Sequence, residues 1–355
     1  MGLAIIGDVH IGIYNAFSKP VSGETLNDRS LASINPLARA LQLAKDNAYT
    51  LIVNGDLFDS RASLDVRILT KVFELFSRYQ DVKCYLIAGN HDQVDNLDIP
   101  ENSLDMFGIA FKNITVVKTV QAINLSPNIT ALCVPYSENV KMLKDKIVYY
   151  KDHLPTNRVN IMFAHIGVDG ASDGGLYTHR LGGAFGLGDL YPNSFTKIYL
   201  SHYHRRQHLA PNVSYIGSTQ QHNFSDEGQE KGITVLDDDL KESFADLSAY
   251  YPKFLTFDTS NKDTEANISK AGGNNYFRVI SHSKKEAKEI KKLLPDSGQL
   301  EVSLKEKPKE INRLGIKKTD SENEIVTKYV DKHYPKAKKE SLSALQEALE
   351  ERQGS

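Results

Sequence analysis

The sequence has few cysteines and no long apolar run, and each of these features argues against a class of protein. Its 355 residues include only two cysteines, Cys84 and Cys133, and each lies inside a short apolar run. A free thiol in such a run behaves as a small hydrophobic side chain, so we expect no disulfide and a reducing, cytoplasmic setting. No apolar run approaches the roughly 18 residues that span a membrane. The first apolar run begins at Leu3 with no basic segment before it, so we expect neither a signal peptide nor a membrane partner.

A strong charge of either sign is also missing. The formal net charge is -2, which gives no overall attraction to nucleic acid. Residues 284–340 are locally basic, with 16 Lys and Arg against 11 Asp and Glu. The length and a hydrophobic content of 40% allow one large domain with a substantial core and a smaller one. Composition alone therefore indicates a globular protein without indicating its substrate.

Five short apolar runs are present, and each ends in side chains of metal-binding type. The runs cover 3–6, 51–54, 85–88, 161–164 and 198–200 and are typical of buried strands. In open α/β sheets, ligands bind in the crevice beyond the carboxyl ends of the strands. We therefore expect one site to collect the polar residues at these ends, which are Asp8, His10, Asp56, Asn90, His165, His202 and His204.

Imidazole, carboxylate and amide oxygen together suit one or two divalent first-row metal ions, with Mn²⁺ first and Mg²⁺ as the alternative. A single Asp-x-His at a strand end is most often an ordinary turn, and a single histidine after a strand is commonly just hydrogen-bonded. The metal prediction depends on five such ends occurring together. Two ions share a site when a carboxylate bridges them, and Asp56 is the best candidate for that bridge. Asp8, His10 and His204 would then complete one ion, and Asn90, His165 and His202 the other.

Such a pair of ions predicts hydrolysis of a phosphate ester. Two ions about 3.5–4 Å apart hold the attacking and leaving oxygens and generate hydroxide near neutral pH. His91 directly follows the ligand Asn90 and is free to donate a proton to the leaving oxygen. Asp59 is placed to hold the His91 imidazole in one tautomer. The alternative for His91 is a hydrogen-bonded turn residue.

The remaining pattern predicts helices over 33–47, 64–79 and 139–153 and strands over 115–125, 129–135, 213–217 and 232–236. Helix 64–79 has apolar residues on more than one stripe, whereas a surface helix needs only one. The excess is explained either by burial inside the chain or by a second copy.

Three domains are expected, with a phosphoesterase domain over 1–250. A small α/β module follows at 251–308, with strand 275–281, helix 284–294 and strand 300–304. Residues 309–355 combine a charged linker with two amphipathic helices, 322–334 and 341–352, which are too short to be stable alone.

The motifs at the strand ends resemble those of the calcineurin-like metallophosphoesterases. They read Asp8-Val9-His10, Gly55-Asp56-Leu57-Phe58-Asp59, Gly89-Asn90-His91-Asp92, His165 and His202-Tyr203-His204. Within that family the chain is similar to the nuclease subunits of the SbcCD and Mre-Rad repair complexes and their phage counterparts. Tyr215-Ile216-Gly217-Ser218 followed by Lys231-Gly232, the small module and the terminal helices carry this narrower match.

The resemblance implies an α/β fold of two facing mixed sheets flanked by helices, with a small capping domain. It implies an Mn²⁺-dependent DNA nuclease with double-strand exonuclease and single-strand endonuclease activity. It also implies an SMC-like coiled-coil ATPase subunit bound to the terminal helices, and a homodimer of the nuclease. Two positions depart from the pattern, because Ser201 stands where glycine is usual and Asp59 where many of these nucleases have histidine.

Two other functions stay open from the sequence. A small-molecule phosphodiesterase or phosphatase would use the same ligands, but it has no need of residues 253–355. A site kept only as a scaffold is disfavoured because no predicted ligand is missing.

Overall fold

The computed structural model describes residues 1–61, 63–95, 101–172, 184–271, 275–293, 300–304, 315 and 319–353. The chain forms two compact units, 1–303 and 304–355. Most of the predicted linker 305–320 lies outside the described residues. The domain boundaries expected after 250 and 308 stay predictions.

The described strands are short and follow one another at close intervals. They are β1 Leu3–Ile6, β2 Thr50–Asn54, β3 Cys84–Ile87, β4 Ile114–Val117, β5 Gln121–Ser126, β6 Ile129–Val134, β7 Val159–His165, β8 Lys197–Ser201, β9 Gln207–Ala210, β10 Val213–Tyr215, β11 Gly232–Leu236, β12 Glu242–Asp246, β13 Phe254–Asp258, β14 Tyr276–Ser281 and β15 Leu300–Leu304.

The described helices lie between these strands and after the last of them. They are α1 Asp28–Ala32, α2 Asn35–Asp46, α3 Val66–Ser77, α4 Asp105–Ala110, α5 Val140–His153, α6 Thr264–Ala271, α7 Lys284–Leu293, α8 Glu322–His333 and α9 Lys338–Gln353. Among the described residues, none of these helices is long and apolar enough to cross a membrane.

Two six-stranded sheets form the centre of the larger unit. Their strand orders are β12-β11-β1-β2-β3-β4 and β5-β6-β7-β8-β10-β9. In the first sheet, β1 to β4 are parallel, and β11 is antiparallel to both β1 and β12. In the second sheet, β6, β7, β8 and β10 are parallel. The edge strands β5 and β9 are antiparallel to β6 and β10. Parallel strands end at the same edge, so the predicted ligands after β1, β2 and β3 share one edge, and those after β7 and β8 share another.

Side-chain alternation along the strands builds the layers. In β1, Ala4 and Ile6 pack with α2 and α3, while Leu3 and Ile5 face the second sheet and pack with residues such as Phe163 of β7. Helix α5 covers the outer face of the second sheet. This order of helices, sheet, sheet and helix confirms the predicted fold class.

The predicted strand 115–125 is wrong in one respect, because it is two strands. β4 lies at the edge of the first sheet and β5 at the edge of the second. The chain crosses between the sheets at residues 118–120, and a continuous apolar pattern hides such a crossing. Strands β9 and β12 were not predicted because both are short, half-exposed edge strands with few apolar residues.

A three-stranded sheet, β13-β14-β15, ends the larger unit. Strand β14, helix α7 and strand β15 match the predicted strand, helix and strand, although residue 294 of the predicted helix is outside the described part. Strand β13 and helix α6 were not predicted. In the smaller unit, Ser321 and Glu324 form a capping box at the start of α8, and α9 starts at Lys338, three residues before the predicted position.

Candidate metal centre

The ends of β1, β2, β3, β7 and β8 bring the predicted ligands together. Potential ligand atoms lie within 4.8 Å of one another in each of three clusters, namely Asp8 with His10 and His204, Asp8 with Asp56 and His165, and His10 with Asp56 and His91. The first cluster is the set that the sequence assigned to one ion. Asp56 belongs to both other clusters, and Asp8 and His10 also belong to two each, so the bridging role of Asp56 stays a prediction.

Asn90 joins the two histidines predicted for the second ion. Its Oδ1 lies 3.0 Å from His165 Nε2 and 2.9 Å from His202 Nδ1. Asp56 Oδ2 is 3.3 Å from the same His165 nitrogen. One amide oxygen, one carboxylate oxygen and two imidazole nitrogens therefore converge, as the ligands of a divalent ion do.

The tautomer of His165 is set by the backbone of β2. Its Nδ1 lies 3.0 Å from the carbonyl oxygen of Asn54. A carbonyl only accepts, so Nδ1 carries the hydrogen and Nε2 is the nitrogen beside Asn90 and Asp56. An outer partner of this kind is what usually orients a metal-binding histidine. The Asn54 side chain in turn donates to Ser201 Oγ at 3.0 Å and to the Tyr199 carbonyl at 3.1 Å, which ties β2 to the opposite sheet.

His10 gives the clearest sign that a cation belongs here. The side chain is buried, and neither ring nitrogen makes a hydrogen bond, although Asp59 Oδ1 lies 3.3 Å from Nδ1. Buried polar atoms in folded proteins nearly always have a partner. The residues therefore fit a metal ion, which would satisfy the His10 nitrogen next to Asp8 and His204.

The backbone at the ligands is held in an unfavourable conformation. Asp8, His10, Asp56 and His202 have φ values of +48°, +49°, +53° and +99°. Residues other than glycine avoid positive φ values, and those that are held there are concentrated at functional sites. Backbone bonds hold the conformation, since Asp8 N donates to Gly55 O at 3.0 Å and His10 N donates to Asp56 O at 3.0 Å.

Two glycines are required by the close approach of the ligands. A Cβ on Gly55 would lie 1.9 Å from His165 Nδ1, and Gly55 also has a φ of +92°. A Cβ on Gly89 would lie 2.2 Å from Asp56 Oδ1. The glycine before each of these two ligand motifs therefore makes room for the side chains of the site.

Charges inside the site are strongly coupled. Burial alone would raise the pKa of Asp56, but attraction to His165 and His10 holds it well below its usual range. Burial alone would lower the pKa of His165, but Asp56 and Asp8 raise it to about 9. Burial and then the charge of His165 lower the pKa of His202 to about 4. Among protein groups alone, a proton on His165 thus balances Asp56, and a divalent cation held here would compete with that proton for the imidazole.

His91 lies beside Asp56, and its imidazole is held by a different atom of Asp59 from the one expected. Its backbone N donates to Asp56 Oδ1 at 2.7 Å. Its Nδ1 lies 2.7 Å from the carbonyl oxygen of Asp59, not from the carboxylate, which faces His10. Asp59 N donates to Ile11 O at 3.1 Å, and this bond fixes the backbone so that the carbonyl meets the ring. The same tautomer is held, with the hydrogen on Nδ1, and the roles of His91 and Asp59 stay predictions.

His222 is a residue of the site that sequence reasoning missed. Its Nε2 lies 3.0 Å from the carbonyl oxygen of Asp8, and its ring centroid is 4.9 Å from that of His10 and 5.0 Å from that of His204. It therefore supports the strained Asp8 backbone. A lone histidine in the connection between β10 and β11 gives no sequence signal for this place.

Lys231 is the second such residue. The side chain is fully buried, and Nζ donates to His204 O at 2.7 Å, Ser218 Oγ at 2.7 Å and Asp226 Oδ1 at 3.0 Å. It holds the backbone of a predicted ligand. The Lys231-Gly232 pair contributed to the resemblance, but it gave no role for the lysine.

Asp92, the last residue of the Gly-Asn-His-Asp motif, is structural. Its carboxylate accepts from Phe58 N at 3.1 Å and from Gly89 N at 3.0 Å. Burial and the nearby charge of Asp56 raise its pKa to about 7. It joins the loop after β2 to the loop after β3, and so sets the spacing between Asp56 and Asn90.

Comparison with known proteins agrees with this geometry. The profile of the calcineurin-like phosphoesterase family matches residues 1–271. The chain is 21% identical over 350 residues to a subunit of the SbcCD nuclease of Staphylococcus epidermidis, covering 88% of this chain and 91% of that protein. It is 25% identical over 178 residues to a protein named as a phosphoesterase, 078R of Invertebrate iridescent virus 3, covering 49% of this chain and 48% of that one. A dimetal phosphatase from Danio rerio aligns in structure with a TM-score of 0.40 and 12% identity, over 66% of this chain and 91% of that one.

The family match covers every predicted ligand, from Asp8 to His204. The expected metal-dependent hydrolysis of phosphate esters is thereby confirmed. The clusters around Asp56 and His10 contain candidate ligand groups for the two divalent ions that this family uses. The chain belongs to the calcineurin-like phosphoesterases.

Proposed function

We propose that this phosphoesterase is a DNA nuclease that works with Mn²⁺, or with Mg²⁺ in its place. The observation that carries the proposal is the similarity to an SbcCD nuclease subunit along 88% of the chain, including residues beyond the phosphoesterase match. A phosphatase for small esters has no need of the small sheet and the terminal helices. The buried thiols of Cys84 and Cys133 support a reducing cytoplasm as the place of action.

The residues divide the chemistry between them. When bound, two divalent ions would supply a nucleophile near neutral pH and stabilise negative charge on the phosphate. Asp56 would be shared between the ions, with Asp8, His10 and His204 on one side and Asn90, His165 and His202 on the other. His91 would donate a proton to the leaving oxygen. Because the Asp59 carbonyl keeps a hydrogen on Nδ1, Nε2 is the nitrogen that would carry the transferred proton.

A homodimer and an ATPase partner belong to the same proposal. Val66 and Phe73 on α3 are 69% and 39% exposed, and Ile109 on α4 is 87% exposed. Exposed apolar side chains grouped on neighbouring helices suit contact with a second copy. Phe76 of α3 is buried in the core, so burial within the chain explains part of the apolar excess of this helix. We propose that the terminal helices α8 and α9 bind an SMC-like coiled-coil ATPase subunit.

A small-molecule phosphodiesterase or phosphatase is the second candidate. The viral relative 078R keeps it open, because that protein is named only as a phosphoesterase and its name states no DNA substrate. The two functions differ in whether they act on long polynucleotides.

Incubation of the purified chain with end-labelled linear duplex DNA and with single-stranded DNA tests the proposal. We expect shortened products with Mn²⁺, weaker activity with Mg²⁺, and none with a chelator. Addition of the partner ATPase and ATP should stimulate cleavage of the duplex. Hydrolysis of bis(p-nitrophenyl) phosphate with no cleavage of either DNA would overturn the nuclease proposal in favour of the small-molecule enzyme.

A further inference from the structure

We propose that Tyr136 is a stacking platform for one unpaired nucleobase next to the reacting phosphodiester. This inference rests on the proposed nuclease function and names the part of the DNA that the site takes. Tyr136 follows β6, the strand beside β7, and it is not one of the family's ligand motifs.

The ring of Tyr136 stands directly beside the metal ligands. Its centroid is 5.8 Å from that of His202 and 6.4 Å from that of His165. The backbone fixes this place, because Tyr136 N donates to Ala88 O at 3.0 Å and Gln93 Nε2 donates to Tyr136 O at 2.8 Å. Ala88 and Gln93 lie on either side of the loop that carries Asn90. The main chain of Tyr136 is therefore fixed relative to the loop that carries Asn90.

A cavity of about 400 Å³ adjoins Tyr136. Ile166, Phe185 and Tyr203 contribute apolar walls, Ser137 and Glu138 contribute polar ones, and His202 forms the wall nearest the metal centre. Cavities of roughly 300–1,000 Å³ with apolar walls and a few polar groups are typical of small-ligand sites. A phosphodiester held at His202 would place an attached aromatic base within this cavity, against Tyr136.

A second cavity, of about 420 Å³, also adjoins Tyr136. Tyr136 and Ser137 line both cavities, and Lys118 and Lys146 line the second. Lys118 forms an ion pair with Asp105 at 3.0 Å, whereas Lys146 is exposed on α5. An aromatic platform followed by cations is the combination that binds single strands, where bases stack and lysines contact phosphates.

The geometry selects an unpaired base. A base inside a duplex is stacked on both faces by its neighbours, so it reaches an aromatic side chain only after leaving the stack. The occupant is therefore a frayed or single-stranded end, with the base on Tyr136 and the next phosphate near Lys146.

Two small esters with the same leaving group isolate the stacking. Thymidine 5′-(p-nitrophenyl phosphate) carries a base, and ethyl p-nitrophenyl phosphate does not. We expect the wild-type kcat/KM to favour the thymidine ester by about 10-fold or more, as stacking on one aromatic side chain predicts. Tyr136→Phe should keep this preference, and Tyr136→Leu should reduce the ratio to near one. An equal fall on both esters in Tyr136→Leu, or no preference in the wild type, would overturn the proposal.

A binding measurement tests the second cavity and separates this inference from the nuclease function. Lys146→Glu should weaken single-stranded DNA binding and reduce the magnitude of the log-log salt slope by about one unit. Lys141→Glu is the matched control, since Lys141 lies on the same helix, outside the cavity and paired with Asp145, and it should change neither. Equal effects of the two variants would overturn the phosphate contact. A preserved ester preference without any DNA cleavage would refute the nuclease and leave a nucleotide-recognising phosphodiesterase, whereas DNA cleavage without that preference would refute only the stacking site.

Discussion

At the scale of single residues, the predicted metal ligands are supported by buried groups that do not belong to the predicted ligand set. Lys231 supports the His204 backbone, His222 supports Asp8, and Asn54 orients His165. Each acts through a main-chain carbonyl oxygen. Hydrogen bonds from outside the predicted ligand set therefore support the backbone of the site.

Lys231→Met tests this support. Losing the lysine leaves the Asp226 carboxylate buried without its cation, and breaking a buried ion pair in this way costs about 3–5 kcal/mol. We expect a comparable fall in the free energy of unfolding together with weaker Mn²⁺ binding, because the His204 carbonyl loses one of its two donors and keeps only Ser218 N. Chemical denaturation and metal titration measure the two effects.

The double variant Lys231→Met with Asp226→Leu is the control. It removes both charges and should recover much of the stability without recovering metal affinity. A single variant as stable as the wild type would show that the buried contact does not support the site.

His91→Ala tests the proton donor. Because the Asp59 carbonyl fixes the hydrogen on Nδ1, the ring has one nitrogen left for proton transfer. We expect the variant to keep both ions and to lose about 100-fold or more in rate on an alkyl ester, the usual contribution of a general acid. The loss should be smaller for a p-nitrophenyl ester, whose leaving group needs no proton, and equal losses on both esters would remove this role.

The residues that sequence could identify are those whose type and position coincide. Asp8, Asp56 and His165 are side chains of metal-binding type at the ends of apolar strands, so a local pattern is enough to select them as candidates. His222 and Asp226 come from a connection between strands, and only the folding of that connection against β1 gives them a role. The Asp59 contact was predicted for the right residue but the wrong atom, since spacing along the chain does not show whether backbone or side chain meets the ring.

At the scale of elements, the strand ends were predictable and the sheet edges were not. Each of the five central strands contains a continuous apolar run, as expected of strands that are buried on both faces. Edge strands such as β9 and β12 are half exposed and lose that signal. The division of 115–125 between β4 and β5 depends on which sheet each half joins, which is a long-range property.

We predict dimerisation through helices 33–47 and 64–79, which are α2 and α3 in the structure. Phe73 is partly exposed and packs beside Phe111 at a centroid distance of 4.7 Å, whereas Phe76 lies in the core. We therefore expect Phe73→Glu to give a monomer that still hydrolyses a small ester but cleaves duplex DNA poorly. Phe76→Glu would instead unfold the helix and is unsuitable as a test. Sedimentation that shows a wild-type monomer at micromolar concentration would contradict the dimer.

At the scale of the whole molecule, the chain divides into a catalytic unit and a terminal helical unit, 304–355. Tyr329 of α8 is 46% exposed, and Tyr334, which directly follows α8, is 60% exposed. Aromatic surface is therefore exposed to solvent. Helices of this length are marginal alone, and an apolar helix face commonly docks in a partner's groove.

Deletion of residues 320–355 tests the assignment of this unit to the ATPase. We expect Mn²⁺-dependent DNA cleavage to persist while binding of the ATPase subunit and stimulation by ATP are lost. If the helices instead stabilise the catalytic domain, the truncated chain will melt at a lower temperature and lose its basal activity. A pull-down beside a thermal melt distinguishes the two results.

The central claim is that Asp56 is shared by two divalent ions, and counting metal in the full-length protein tests it most directly. Wild-type protein and the variant Asp56→Asn are dialysed with Mn²⁺ and analysed for metal per chain, with Asp81→Asn as a control at an exposed carboxylate that pairs with Lys45. We predict two ions in the wild type and control, one or none in Asp56→Asn, and no hydrolysis of any phosphodiester by that variant. Two ions and full activity in Asp56→Asn would contradict the account.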